Sequence, residues 1–149
     1  MTIIYIQNRM KSGAVYSDSD FLFAPHSPHD SHHIKAKKIL EKIHFSTAYI
    51  STPIIQEAAT LISQRIGKKE SIRFLDIIHT GGFVIVYPDE YLIRKGEYIF
   101  KSIKSKNVSY ADYISFAIMK ERSIQWVLSF DIHFKKQGFK RVGTDGIPK

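Results

Sequence analysis

Two rhythms of apolar residues alternate along this chain. Short consecutive runs occur at residues 14–16 (AVY), 48–51 (AYIS), 83–87 (FVIVY), 126–130 (WVLSF) and 139–142 (FKRV). Their branched and aromatic character suits short strands, the last of them at an edge. Between them lie longer stretches in which apolar positions return every three or four residues. Residues 31–44 set Ile34, Ile39, Leu40 and Ile43 against Lys35, Lys37, Lys38 and Lys42, which predicts an amphipathic helix with a solvated basic face. Thr52 followed by Pro53 is a favoured helix opening and predicts a helix to Gly67. A further helix over 69–79 closes at Gly81 and Gly82, and Asp89 caps another that extends to about residue 104. Ser109, with Asp112 three residues on, predicts the start of a helix carrying Ile114, Phe116, Ala117, Ile118 and Met119. Residues 25–30 read as a loop.

Strands alternating with helices predict the α/β class, a three-layer α/β/α domain whose central sheet is mainly parallel and has four to five strands. At 149 residues the chain holds one domain, expected over residues 13–143. Residues 1–12 read as an N-terminal extension of unknown role, and 144–149 as a loose polar tail. No internal repeat or linker interrupts the pattern.

Composition narrows the chemistry. No apolar run is long enough for a membrane span, and residues 3–6 are too short for a signal-peptide core, so the expected location is the cytoplasm. The chain has no cysteine, which excludes disulfides and thiolate metal sites and leaves carboxylates, histidines and hydroxyls. The net charge of +8 and pI near 9.6 suit a polyanionic partner. The surplus is concentrated late: residues 101–149 carry ten Lys/Arg against four acids. His26, His29, His32 and His33 crowd the loop at 25–33, but their spacing matches no established zinc pattern.

Four acids stand apart by position. Asp18 and Asp131 end strand-like runs, Asp112 opens a helix, and Glu57 is the one acid in an apolar helix, where burial without a partner is costly. Each has a local explanation as turn residue, dipole partner or cap. Together they lie where parallel sheets bind ligands, outside the carboxyl ends of the strands.

With its neighbours, this set resembles the PIN-domain nucleases, in particular the VapC-like toxins of type II toxin–antitoxin pairs. VYSDSDFLFA is similar to the family's first strand and first acid, DSHHIKA to its loop-to-helix segment, and STPIIQEAATLISQRIG to the helix bearing the second acid. VSYADYISFAIMKERSIQWVLSFDIHFKKQGF carries the most specific match, an S-x-x-D helix start followed by a strand ending in S-F-D-x-H-F. The resemblance implies that Asp18, Glu57, Asp112 and Asp131 form a catalytic, metal-binding quartet, with Ser129 and Ser19 as supporting hydroxyls. His133 and Phe134 belong to the signature as structural residues. Asp20 is an additional carboxylate that either joins the site, holds a metal-bound water or caps the next helix.

Converging carboxylates repel by roughly 4 kcal/mol per pair at 4 Å and an effective dielectric near 20, so protonation or a cation must relieve them. All-oxygen ligands favour Mg²⁺ or Mn²⁺. The resemblance implies metal-dependent hydrolysis of RNA to 5′-phosphate and 3′-hydroxyl ends, a cognate antitoxin and a homodimer. The antitoxin surface is expected near the FLFA run. Lys135, Lys136, Lys140 and Arg141 are the candidate RNA contacts, with Lys101, Lys104 and Lys106 nearby. Two other readings compete: a solitary PIN nuclease of RNA processing or decay, and a non-catalytic RNA-binding protein on the same fold.

Overall fold

Ala14–Ser17 (β1) is the middle strand of the sheet, although it comes first in the chain. The computed structural model describes residues 13–149, so the extension assigned to 1–12 lies outside the described residues. After β1 come α1 (Ser19–Phe23), a single 3-10 turn at Ala24–His26, α2 (His33–Lys42), β2 (Thr47–Ser51), α3 (Thr52–Arg65) and α4 (Lys68–Thr80). The second half holds β3 (Val84–Val86), α5 (Glu90–Ser102), α6 (Tyr110–Glu121), β4 (Trp126–Leu128), α7 (Ile132–Lys136) and β5 (Lys140–Arg141). The strand order is β3-β2-β1-β4-β5, and all five strands are parallel.

Strand alternation splits the core in two. Tyr16, Ile50 and Val127 face a large cluster with Ile54, Ala58 and Ile62 of α3 and Ile114, Phe116 and Ile118 of α6. Val15, Ala48 and Leu128 face the opposite side, with Phe21, Ala36 and Ile39. Helices thus cover both faces, as a buried parallel sheet requires. In α5, Gly96 is buried against α6: a Cβ there would stand 2.9 Å from the Tyr113 carbonyl oxygen, so the close packing of the two helices depends on its lack of a side chain.

The FLFA run is interior. Phe21, Leu22, Phe23 and Ala24 are all buried, so the run itself offers no apolar surface to a partner. The start of the stretch read as a loose tail is pinned: Arg141 donates from its backbone N–H and from Nε to Asp145 Oδ2, both at 2.8 Å, and Val142 bridges to Gly146. Among the described residues no helix is long and apolar enough to cross a membrane.

Candidate active site

The carboxyl ends of β1 and β4 lie side by side because Tyr16 and Ser17 pair with Val127 and Leu128. Each strand leads to an acid that caps the next helix, Asp18 directly after β1 and Asp131 three residues after β4. Asp18 is almost fully buried; its Oδ1 accepts from the Ser19 N–H at 2.9 Å and its Oδ2 from the Ser129 hydroxyl at 2.7 Å. Asp131 caps α7, with Oδ1 accepting from the His133 N–H at 2.8 Å and lying 2.7 Å from His133 Nδ1. Ser129 joins the two acids, since its Oγ also accepts from the Asp131 N–H at 3.1 Å.

Asp112 sits in the first turn of α6 in a complete capping box. Its Oδ2 accepts from the Ser109 N–H at 2.9 Å, and its own N–H donates to Ser109 Oγ at 3.1 Å. Only one carboxylate oxygen is taken by the cap, which leaves the other for a ligand. Glu57 on α3 is half-buried rather than enclosed, and its Oε2 accepts from the Ser19 hydroxyl at 2.5 Å. It borders a cleft of about 450 Å³ shared with Pro53, Thr60, Ser109 and Tyr110.

Asp20 has a role that sequence reading left open. The strand does not continue past Ser17, so Asp20 lies in the first turn of α1, not beside Asp18 on a strand face. Its Oδ2 accepts from the Phe130 N–H at 3.1 Å, while Oδ1 is buried without a partner. Phe130 stands between Ser129 and Asp131 and is held from every side. Arg141 Nη1 donates to its carbonyl at 3.1 Å, and its ring packs between Phe21 and His32, with centroids at 5.2 and 4.0 Å. Asp20 and Arg141 therefore fix the loop that carries Ser129 and Asp131. Arg141 is buried and committed to this loop and to Asp145, which removes it from the group of candidate RNA contacts.

Charge in this site is costly. Burial raises the Asp18 carboxyl well above its ordinary value, and the neighbouring Asp20 and Asp112 raise it further. Asp20 is raised by burial, with Asp131 adding to it. Asp112 is pushed up to about 6, first by burial and then by Asp131 and Glu57. Beneath the acids, Tyr16 is fully buried with its hydroxyl 2.7 Å from Ser51 Oγ and 2.8 Å from Ser115 Oγ. Ser115 donates its proton to the Ala111 carbonyl, so Tyr16 donates to Ser115 and accepts from Ser51. Burial raises this phenol's pKa and keeps it neutral. Nothing in the apolar pattern around Tyr16 marked it as a polar junction of β1, β2 and α6.

The donor set fits a hard divalent cation. It is all oxygen, it gathers five acids within electrostatic reach of one another, and it includes one orphaned buried carboxylate oxygen. Among the described residues no three acids or histidines close on a single point as a ready-made cage. Serine hydroxyls and backbone N–H groups hold them instead. Three of the four loop histidines are otherwise engaged: His33 Nδ1 meets the Ala24 carbonyl at 2.8 Å, His32 stacks on Phe130, and His26 packs edge-on to Phe74, while His29 is exposed.

The sequence model of the PIN domain matches residues 15–140. The chain is a PIN domain. A search of curated proteins finds no match. Among solved structures, this PIN domain superimposes on Mycobacterium tuberculosis VapC20, a toxin that cleaves the sarcin–ricin loop, with TM-score 0.80 and 22% identity over 86% of this chain and 98% of that one. FitAcB from Neisseria gonorrhoeae gives TM-score 0.65 at 17% identity, covering 87% of this chain and 96% of that one. FitAB bound to a DNA fragment gives 0.63 at 18%, covering 86% and 93%. At these identities the likeness is one of fold.

Proposed function

We propose that this PIN domain is a Mg²⁺- or Mn²⁺-dependent endoribonuclease that hydrolyses RNA to 5′-phosphate and 3′-hydroxyl ends, and that it is the toxin of a toxin–antitoxin pair. The observation that carries the reading is the buried, mutually repelling set of carboxylates at the joined ends of β1 and β4 in a chain of this family. Asp18 and Asp112 would hold the ion, with Asp20, Asp131 and Glu57 around it. A bound divalent ion lowers the pKa of water, orients the phosphodiester and offsets charge on the in-line transition state. The chain's own groups supply positioning. Ser129 sets the spacing of Asp18 and Asp131, Ser19 orients Glu57, and the Ser109 capping box fixes one oxygen of Asp112 and aims the other.

The partners follow from the same reading. A toxin needs a neutralising antitoxin, and an apolar groove of about 410 Å³ along α2, floored by Ile34, Ile39 and Ile147 and edged by Lys35, Lys38 and Lys42, suits an amphipathic segment bearing acids. Exposed Tyr91 and Tyr98, seven residues apart on one face of α5, suit the self-association of a homodimer. The fold neighbour that cleaves the sarcin–ricin loop makes structured ribosomal RNA the first substrate to try. Wild-type protein and Asp18→Asn are incubated with such RNA in Mg²⁺, Mn²⁺ or EDTA. Cleavage is expected only for wild type with metal, and products should carry 5′-phosphates. Equal cutting in EDTA, or by Asp18→Asn, rules the assignment out.

A further inference from the structure

The basic residues of the C-terminal third are not equivalent. Arg141 is bound to Asp145 and Phe130, Lys135 lies 3.7 Å from Asp145, and Lys140 sits over the Trp126 ring at 5.5 Å. Lys136 differs. It shares a cavity of about 150 Å³ with Lys104 and with Ser105, His133 and Gln137. Among the described residues no carboxylate lines that cavity, and both of its lysines are exposed and bonded to no acid. The Ser105 hydroxyl and the Gln137 amide N–H can donate to an anion, and Gln137 Oε1 holds a third ammonium, Lys120, at 2.9 Å.

The cavity is tied to the candidate active site from two directions. His133 lines it and places Nδ1 2.7 Å from Asp131. The loop that brings in Lys104 and Ser105 continues to Ser109, whose N–H holds Asp112. Its volume is below the roughly 300 Å³ of a small-molecule site. That admits a phosphate with its hydration and excludes a whole nucleotide.

We propose that the Lys104–Lys136 pocket is a subsite for a backbone phosphate flanking the scissile one, which sets the register of the RNA strand across the acids. The proposal rests on the nuclease reading of the same groove. Its occupant belongs to a nucleic-acid strand, although free phosphate offers the same chemistry.

Binding of a fluorescent RNA oligonucleotide is measured against salt in the Asp112→Asn background with Mg²⁺, before and after adding Lys104→Gln and Lys136→Gln. Losing one neutralised phosphate on a single strand should flatten the slope of log affinity against log salt by about 0.7. Lys68→Gln with Lys69→Gln, exposed on α4 and outside the candidate RNA contacts, should leave the slope unchanged. Inorganic phosphate is titrated in parallel against the His133 imidazole signals, which should shift and saturate, and cease to do so when Lys104 and Lys136 are replaced. An unchanged slope in the Lys104/Lys136 variant overturns the subsite, and wild-type cleavage in that case leaves the nuclease reading standing. Saturable phosphate shifts in a protein that binds no RNA overturn the strand assignment and the nuclease reading together, leaving a small-anion site. Absence of both responses overturns the subsite outright.

Discussion

Replacing Asp112 by Asn should make the metal-free protein more stable and, under the proposed function, abolish cleavage of RNA. The carboxyl's pKa is lifted from 3.8 to about 6 by burial and by Asp131 and Glu57. At 1.36 kcal/mol per unit, holding this charge inside the fold costs about 3 kcal/mol once it is fully ionised. Between about pH 4 and pH 6 the folded chain keeps a proton that the unfolded chain has released. The stability contributed by this group is therefore whole below about pH 4 and is lost as the pH rises through 6. Asparagine keeps an oxygen for the Ser109 N–H but accepts a weaker hydrogen bond, which returns about 1 kcal/mol. The net gain of about 2 kcal/mol corresponds to a melting temperature roughly 4–8 °C higher for a domain of this size. Thermal melts in EDTA should show the variant ahead at about pH 8 and level with or below wild type at about pH 4. Adding Mg²⁺ should raise wild type more than the variant. A variant less stable than wild type at pH 8, or a difference that does not change with pH, refutes the account of a charge held against its environment.

Ser129→Ala removes the donor to buried Asp18 Oδ2 and the acceptor of the Asp131 N–H, and should destabilise the protein by about 1–3 kcal/mol in chemical denaturation while slowing RNA cleavage. Gly96→Ala places a Cβ 2.9 Å from the Tyr113 carbonyl, so α5 must move away from α6; about 1–3 kcal/mol should be lost by the same assay, with the acids undisturbed. Ser123 holds a φ of 53° just after α6, a conformation glycine adopts without strain, so Ser123→Gly should raise the melting temperature with activity unchanged. Arg141 holds the Asp145 carboxyl down to about 2, so this pair stabilises the fold above about pH 4 and is lost as the pH falls through 2; Asp145→Asn should remove that acid limb from a stability–pH profile.

The fold was legible because local and global signals agree. Ser109 with Asp112 announced a capping box that forms in full, and the alternation of strands and helices led to a five-stranded parallel sheet. The carboxylate positions were legible too, since Asp18 and Asp131 end strands that become neighbours in the sheet. What escaped was the support around them. Asp20 binds the Phe130 N–H across 110 positions of sequence, and no local pattern reports such a contact. Arg141 looked like a surface cation because its partner, Asp145, lay in a stretch whose glycines suggested looseness. The burial of the FLFA run was not legible either, because a five-residue helix is too short to reveal by periodicity that all its apolar faces are covered.

The central position of β1 also bears on how the protein is made. Its residue Val15 pairs with Trp126, about 110 residues later in the chain. At roughly 5–20 residues per second, synthesis takes on the order of 5–20 s to bridge that gap. Throughout that interval Asp18 exists without Ser129 or Asp131 beside it, and the sheet lacks half of its central seam. Any product ending before β4 carries the first acids without the strand that leads to Ser129 and Asp131.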